Sequence, residues 1–199
     1  QFNDGSNYDA AWLESLSRHA PELVAPLLDQ SVSEDNLFSL GLSGAFSDAD
    51  LARGDRLSFS AVLADGTTLS DWLNIDPITG MLTGLAGNSL VGSYDIVVTA
   101  TDSDGQGVSD TFTLTVNNTN DAPIVANSIT DQATDEDSPF AFTLPASTFS
   151  DDDLIHGDSL SLTATLADGS VLPAWLSFDA LTGTFSGTPE NGQVGSYNI

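Results

Sequence analysis

Residues 63–84 read LADGTTLSDWLNIDPITGMLTG. Two turn signals, Asp65-Gly66 and Asp76-Pro77 with Gly80, bracket short runs in which apolar and polar side chains alternate, such as Leu73-Asn74-Ile75 and Met81-Leu82-Thr83. Alternation with a period of two marks a half-buried strand, and Asp, Gly and Pro in clusters close tight turns. The stretch therefore reads as strands joined by turns. Residues 166–187 then read LADGSVLPAWLSFDALTGTFSG, with the same Asp and Gly turn residues (Ala180 standing for Pro77), an equivalent tryptophan (Trp72, Trp175) and the same closing glycine. A hairpin written twice makes the chain a tandem repeat.

The repeat extends outward in both directions. SVSEDNLFSLGL matches QATDEDSPFAFTL with one residue inserted, SDADLARGDRLSFSA matches SDDDLIHGDSLSLTA, VGSYDI at Val91 matches VGSYNI at Val194, and HAPELVAPLLDQ at His19 aligns with DAPIVANSITDQ at Asp121. Each unit is about 100 residues, the usual size of one sandwich domain. The division is a leader over 1–19, a first unit over 20–120 and a second over 121–199. Residues 1–18 have no counterpart in the repeat; NYDAAWLESLSRH places Trp12, Leu13 and Leu16 at helical spacing behind a cap at Asn7 or Asp9, which predicts a short amphipathic helix.

Within the first unit, alternation and turn punctuation predict strands near 27–33, 36–42, 56–64, 72–76, 80–84, 93–101 and 108–116. Seven short strands in about 100 residues, with no helical period among them, imply an all-β fold of tandem immunoglobulin-like sandwiches. Nothing in the 199 residues repeats VVTATDSDGQGVSDTFTLTV, which follows VGSYDI in the first unit. The second sandwich is therefore expected to be incomplete at its C-terminus, with core exposed and a sheet edge unpaired. Two explanations fit: an excerpt from a longer chain, or completion by strands donated from another molecule, giving a filament or swapped dimer.

Charge narrows the function. The chain carries 29 acidic residues against 3 basic ones, a formal net charge of −26. Such a surface repels nucleic acid and anionic membrane, so neither is expected as a partner. Salt or bound cations must offset the self-repulsion, and a saline habitat and divalent-ion binding are compatible origins of it. The absence of cysteine rules out disulfides, thiolate zinc sites and a cysteine nucleophile. No apolar run reaches membrane-spanning length, and no signal peptide opens the sequence.

The acids are not scattered. If each strand reverses the last, the turns alternate between the leading end of the unit, where the chain comes in, and the trailing end, where it goes out. Asp48, Asp50, Asp55, Asp76, Asp102 and Asp104 then fall at the leading end; Glu34, Asp35, Asp65, Asn88 and the linker NNTND fall at the trailing end. Units stacked end to end would bring Glu34 and Asp35, with Asn118, Asn120 and Asp121 of the linker, against Asp151, Asp153 and Asp158 of the next unit. Glu136 repeats Glu34 in the second unit. Calcium takes six to eight oxygen ligands in flexible geometry, whereas magnesium demands a tight octahedron and keeps its waters. Calcium is therefore the expected ion, drawing on Glu34, Asp35, Asp48, Asp50, Asp102, Asp104, Asn118, Asn120, Asp121, Glu136, Asp151 and Asp153.

The same residues carry a resemblance. TATDSDGQGVSDTFTLTVNNTNDAPIV is similar to the end of an extracellular cadherin repeat with its calcium-binding linker. SDADLARGD resembles the cadherin Asp-Ala-Asp segment, and Glu34 stands where a cadherin carries a first-strand glutamate. The paired hairpins resemble the dystroglycan-type cadherin-like domains repeated in giant bacterial surface proteins and polysaccharide-degrading machinery. The resemblance covers about 20–199. It implies a cell-surface or extracellular setting, calcium between units and partners among neighbouring repeats of the same chain, extracellular polysaccharide or a cell-surface partner. NNTNDAP lacks the leading aspartate of many cadherin linkers, which leaves the ion count open.

Other readings compete. Asp102 and Asp104 in DSDG, and Asp65 and Asp168 in ADG, are also good turn formers. The acidic run 151–153 could be a solvated face. His19 and His156 have no partners at transition-metal spacing. G-x-S-x-G, P-loop and H-E-x-x-H patterns are missing, and the acids recur in turns of both units instead of gathering in one cleft, so no catalytic residue is expected. The alternative is a carbohydrate-binding module using Trp72, Trp175, Tyr94 and Tyr197 as platforms.

Overall fold

The computed structural model describes residues 18–199, so the helix expected within the leader lies outside the described residues. The chain divides into two compact units between Thr119 and Asn120. Among the described residues each is all-β, with short 3-10 helices of three to five residues between strands.

In the first unit the strands run in chain order as β1 Glu22–Leu23, β2 Gln30–Ser33, β3 Leu37–Gly41, β4 Phe46–Ser47, β5 Ser58–Leu63, β6 Leu73–Ile75, β7 Met81–Leu85, β8 Gly92–Thr101 and β9 Gly107–Asn117. One sheet has the order β2-β9-β8-β5 and the facing sheet β3-β7-β6, with β1 and β4 forming a small pair of their own. The first and last strands of the larger sheet, β2 and β9, are parallel, from Gln30↔Leu114 to Ser33↔Asn117. Its other pairings are antiparallel.

Period-two alternation explains the core. Along β8, Ile96, Val98 and Ala100 point inward; along β9, Phe112, Leu114 and Val116 do. Across from them Phe38, Leu73 and Leu82 close the sandwich, with Leu42, Phe46 and Phe59 at the leading end. Burial of each of these side chains other than Ala100 stabilises the fold by about 1.5–3 kcal/mol. The strand expected from 27 begins at Gln30 because side chains answer the backbone before it. Asp110 Oδ2 accepts from Leu27 N–H at 2.7 Å, and Asp29 Oδ1 accepts from Thr113 N–H at 2.8 Å. Gly84 is required for close approach: a Cβ there would meet Trp72 O at 2.7 Å. The homologous Gly187 sits beneath Trp175 O in the same way.

The second unit contains β10 Ile124–Val125, β11 Phe140–Thr143, β12 Phe149–Ser150, β13 Leu176–Asp179 and β14 Thr184–Gly187. The sheet β11-β14-β13 reproduces β3-β7-β6, and the pair β10-β12 reproduces β1-β4. The larger sheet has no counterpart among the described residues. Residues 159–166 keep their alternation, yet Leu162, in the place of buried Phe59, is only half-buried. In the first unit that stretch pairs with Ile96–Thr101, and the 199 residues carry nothing equivalent beyond Ile199. One backbone bond of the pairing persists: Ala167 N–H to Asn198 O at 2.8 Å, matching Ala64 N–H to Asp95 O at 2.9 Å. Leu176 and Phe185 are the buried large hydrophobic residues of this unit.

Candidate metal centre

Strand register assembles the leading end of the first unit. Ser58↔Thr101 ends the β5–β8 ladder, so the residues just outside it, Asp55 and Asp102, come together. The 3-10 turn Leu51–Arg53 after β4 delivers Asp48 and Asp50 to the same end. One carboxylate oxygen each from Asp48, Asp55 and Asp102 lies within 4.8 Å of the others.

Each aspartate first builds its own loop. Asp48 Oδ1 accepts from Asp50 N–H at 2.7 Å. Asp102 Oδ1 accepts from Asp104 N–H at 2.9 Å and Gln106 N–H at 2.8 Å, closing the DSDG turn. The turn and ligand readings of Asp102 are thus compatible, since the turn uses only one oxygen. The second oxygens, Asp48 Oδ2 and Asp102 Oδ2, are buried without a hydrogen-bond partner, in residues only 5% exposed. A buried polar atom without a partner costs about 1–3 kcal/mol, and more for a charged group. Two carboxylates with oxygens within 4.8 Å of each other add at least about 3.5 kcal/mol of repulsion at an effective dielectric of 20. A hard cation among these oxygens removes both penalties, so the residues fit calcium. Asp55 completes the group; the Ser103 side chain and the Arg56 N–H hold its pKa below the ordinary carboxylate value.

The second unit gathers a related group that shares two aligned positions with the first, those of Asp48 and Asp55. Asp151, Asp153 and Asp158, aligned with Asp48, Asp50 and Asp55, each offer an oxygen within 4.8 Å of the others. Asp151 and Asp153 are buried. Asp151 caps the 3-10 helix Asp152–His156, its Oδ1 accepting from Asp153 N–H at 2.9 Å. Asp153 Oδ2 accepts from Asp121 N–H.

The other expected ligands lie as follows. Asp50 is buried but engaged by His19 and Arg53. Asp104 pairs with Arg18 at 2.9 Å. Glu34 is buried at the trailing end of the first unit; its Oε1 accepts from Thr119 N–H at 2.8 Å and its Oε2 has no partner. Asp35 is an exposed turn residue with a left-handed backbone, φ 56°, as is its counterpart Asp137 at φ 58°. Asn118, Asn120 and Glu136 are exposed, and Asn120 Nδ2 donates to Asp121 O at 2.7 Å. Asp55 and Asp158 also belong to the groups; the sequence sorts Asp55 to the leading end and names Asp158 as a junction candidate, though neither is carried into the expected ligand set.

The aromatic residues pack in pairs, with Trp72, Tyr94 and Trp175 half-buried and Tyr197 exposed. Trp72 packs on Tyr94 at 5.4 Å between ring centres, and Trp175 on Tyr197 at 5.8 Å. Tyr94 OH donates to Leu90 O, and Tyr197 OH to Gln193 O, both at 2.7 Å. Burial pushes the Tyr94 pKa up. Among the described residues, no helix is long and apolar enough to cross a membrane.

Fold and repeat define a tandem immunoglobulin-like β protein. The chain belongs to the family described as "Putative Ig domain", whose profile matches twice, over residues 20–117 and 122–199. Among solved structures it is similar to the extracellular domain of protocadherin gammaB4, at 19% identity and TM-score 0.42, over 89% of this chain and 30% of that one. It is also similar to an endo-fucoidan hydrolase of glycoside hydrolase family 107, at 19% identity and TM-score 0.41, over 90% of this chain and 26% of that one. Titin domain M7 matches at 17% identity and TM-score 0.34, over 50% of this chain and 97% of that one. The chain thus spans about a quarter of the fucoidan hydrolase and under a third of the protocadherin domain. No curated protein matches it.

Proposed function

We propose that this chain is a calcium-stiffened extender or adhesion module, non-catalytic, from a large bacterial cell-surface or secreted protein, built from dystroglycan-type cadherin-like units. The observation that carries the reading is the pair of buried, unpartnered oxygens on Asp48 and Asp102 inside a three-carboxylate group, two of whose positions, Asp48 and Asp55, are matched in a second group by Asp151 and Asp158. Turn chemistry accounts for the other oxygens and leaves these two without a role. A net charge of −26 in the same chain makes divalent cations the natural counter-ions.

Stiffening follows from chain connectivity. Glu34 of the first unit binds the backbone of Thr119, and Asp153 of the second binds the backbone of Asp121. Each bond is internal to one unit, yet the two anchor points are two residues apart in sequence. An ion held by Asp151, Asp153 and Asp158, with Asp153 bonded to the Asp121 N–H, would fix the linker where it enters the second unit. Partners on this reading are neighbouring repeats of the same chain, with extracellular polysaccharide or a cell-surface protein bound elsewhere. The carbohydrate-module reading has less support, because Trp72 and Tyr94 spend their faces and hydroxyl on each other and on Leu90.

Small-angle scattering of the full chain, in millimolar calcium and in chelator, tests this. A maximum dimension that lengthens and a distance distribution that sharpens with calcium support the splint. Identical curves in both conditions refute it.

A further inference from the structure

Beside the acid group, the leading end of the first unit carries an open groove of about 380 Å³. The buried rings of Phe46 and Phe59 line it, together with Leu51, Leu57 and Ile78. Ile78 is 81% exposed and Leu51 42%, so the groove presents apolar side chains to water. Asp55 and Arg56 line it as well. Of the three arginines in the sequence, Arg18 and Arg53 are ion-paired with Asp104 and Asp50, while Arg56 has no carboxylate partner among the described residues. Apolar surface beside an unpaired guanidinium suits an occupant that is both apolar and acidic.

The described chain begins next to this groove. Arg18 Nη1 donates to Asp104 Oδ2 at 2.9 Å, and the N–H of the neighbouring Ser103 donates to Asp55 Oδ1, on the groove wall, at 3.2 Å. The Ser103 side chain and the Arg56 N–H lead in lowering the Asp55 pKa, and the Arg18 charge adds to them. Residues 1–17 therefore join the unit beside the groove, and Leu16 is two residues from Arg18, at most about 7 Å of chain. With Asn7 as the cap, Tyr8, Trp12 and Leu16 follow at i, i+4 and i+8 on one helical face; Asp9 flanks that face and Glu14 takes the opposite one. Such a stripe suits an apolar groove. The second unit keeps Leu154, Leu160 and Leu181 at the positions of Leu51, Leu57 and Ile78, but has Ser159 in place of Arg56. The arginine belongs to the unit that the leader runs into.

We propose that residues 8–16 lie in this groove as a helix, with Tyr8, Trp12 and Leu16 against Leu51, Leu57 and Ile78 and Asp9 beside Arg56. The occupant is the chain's own leader, which covers the apolar side chains and supplies the carboxylate that Arg56 lacks. The assignment stands apart from the calcium reading: it uses no ion, and either can fail without the other.

The sequence has no cysteine, so paired substitutions report the contact in the full chain without background. Leu16→Cys, Trp12→Cys and Glu14→Cys are each combined with Ile78→Cys, oxidised in chelator, and followed by non-reducing electrophoresis and peptide mapping. A bridge needs Cα atoms within about 7 Å, so the Leu16 or the Trp12 pair should close within one chain roughly tenfold faster than the Glu14 pair. Equal rates for all three pairs, or no bridge in any, overturn the proposal. Bridges that link two chains assign the groove to a second copy and overturn it too. Melting gives a second readout, and because Ile78 is mostly exposed its substitution leaves the unit folded. Trp12→Ala and Ile78→Ser should each lower the first unit's melting temperature, and the double variant should fall by less than the sum, since the two remove one contact. Shifts that add in full, or a Trp12→Ala variant that melts as wild type, overturn the proposal.

Discussion

Replacing Asp102 by Asn separates a metal ligand from a turn former. Asn is nearly isosteric and keeps an oxygen for the N–H groups of Asp104 and Gln106, so the DSDG turn persists. The change removes the charge beside Asp48 and supplies an amide that can donate to Asp48 Oδ2, now without a partner. With the oxygens within 4.8 Å of each other, the repulsion relieved is at least about 3.5 kcal/mol at an effective dielectric of 20. In chelator the variant should therefore be more stable than wild type, by about 1 kcal/mol or more, and each kcal/mol raises the melting temperature of a 100-residue domain by roughly 4–8 °C. In calcium the order of response inverts. With a dissociation constant of about 10⁻⁴ M, as extracellular modules show, calcium at about a hundred times that value stabilises the wild type by about 2.7 kcal/mol. That corresponds to roughly 10–20 °C. A ligand loss that weakens binding tenfold leaves about 1.4 kcal/mol, or half the shift. Differential scanning calorimetry with chelator and with about 10 mM calcium reads both effects. A variant that melts at or below wild type in chelator and shifts as far with calcium would refute the reasoning.

Three further outcomes follow from the same structure. Leu82→Ala, at a side chain with no exposure in the centre of the first unit, should destabilise that unit by about 2–5 kcal/mol in urea unfolding while leaving the second unit's transition unmoved. The Asp76 carboxyl is held below its ordinary 3.8 by the N–H of Thr79 and then of Ile78, and that of Asp179 by the N–H of Leu181 and then of Thr182. Because folding lowers these values, their stabilisation is fully present above the unfolded value and disappears as pH falls through the folded one. Chelator-treated protein should keep the Asp76 and Asp179 contribution down to about pH 4 and lose it below, with Asp76→Asn showing a smaller loss. An Asp76→Asn profile parallel to wild type throughout would contradict this. Trp72→Ala should lower the first unit's melting temperature through loss of the Tyr94 contact, with no polysaccharide retention in affinity electrophoresis before or after; a folded variant that loses retention shown by wild type would favour a sugar platform.

Much of the fold was legible because the sandwich writes itself in period two. Phe112, Leu114 and Val116 alternate with threonine in the sequence and with solvent in the structure. The doubled hairpin gave equivalent tryptophans and closing glycines in the sequence, and the structure adds the reason for the glycines: Gly84 and Gly187 lie against the Trp72 and Trp175 carbonyls, where a Cβ would clash. The short β1–β4 pair escaped notice because two-residue strands carry no periodic signal. The parallel β2–β9 pairing was invisible for a different reason: it joins residues far apart in sequence and is anchored by Asp29 and Asp110 side chains that look like ordinary surface acids.

The acid groups were half legible. Spacing sorted Asp48 and Asp102 to one end, but which oxygen each spends on its turn depends on atomic geometry. Asp104 and Asp50 looked like ligands by type, yet Arg18, Arg53 and His19 engage them. Three basic residues in 199 are easily passed over in composition, and their convergence on one end needs coordinates to see.

The most direct measurement is a crystal structure of the full chain grown in millimolar calcium, with anomalous scattering recorded at long wavelength. Expected are peaks among Asp48, Asp55 and Asp102 and among Asp151, Asp153 and Asp158, with carboxylate oxygens about 2.3–2.6 Å from each ion. Clean density at both places with no anomalous peak, and the Asp48 and Asp102 oxygens bonded to water alone, would contradict calcium as the role of these acids.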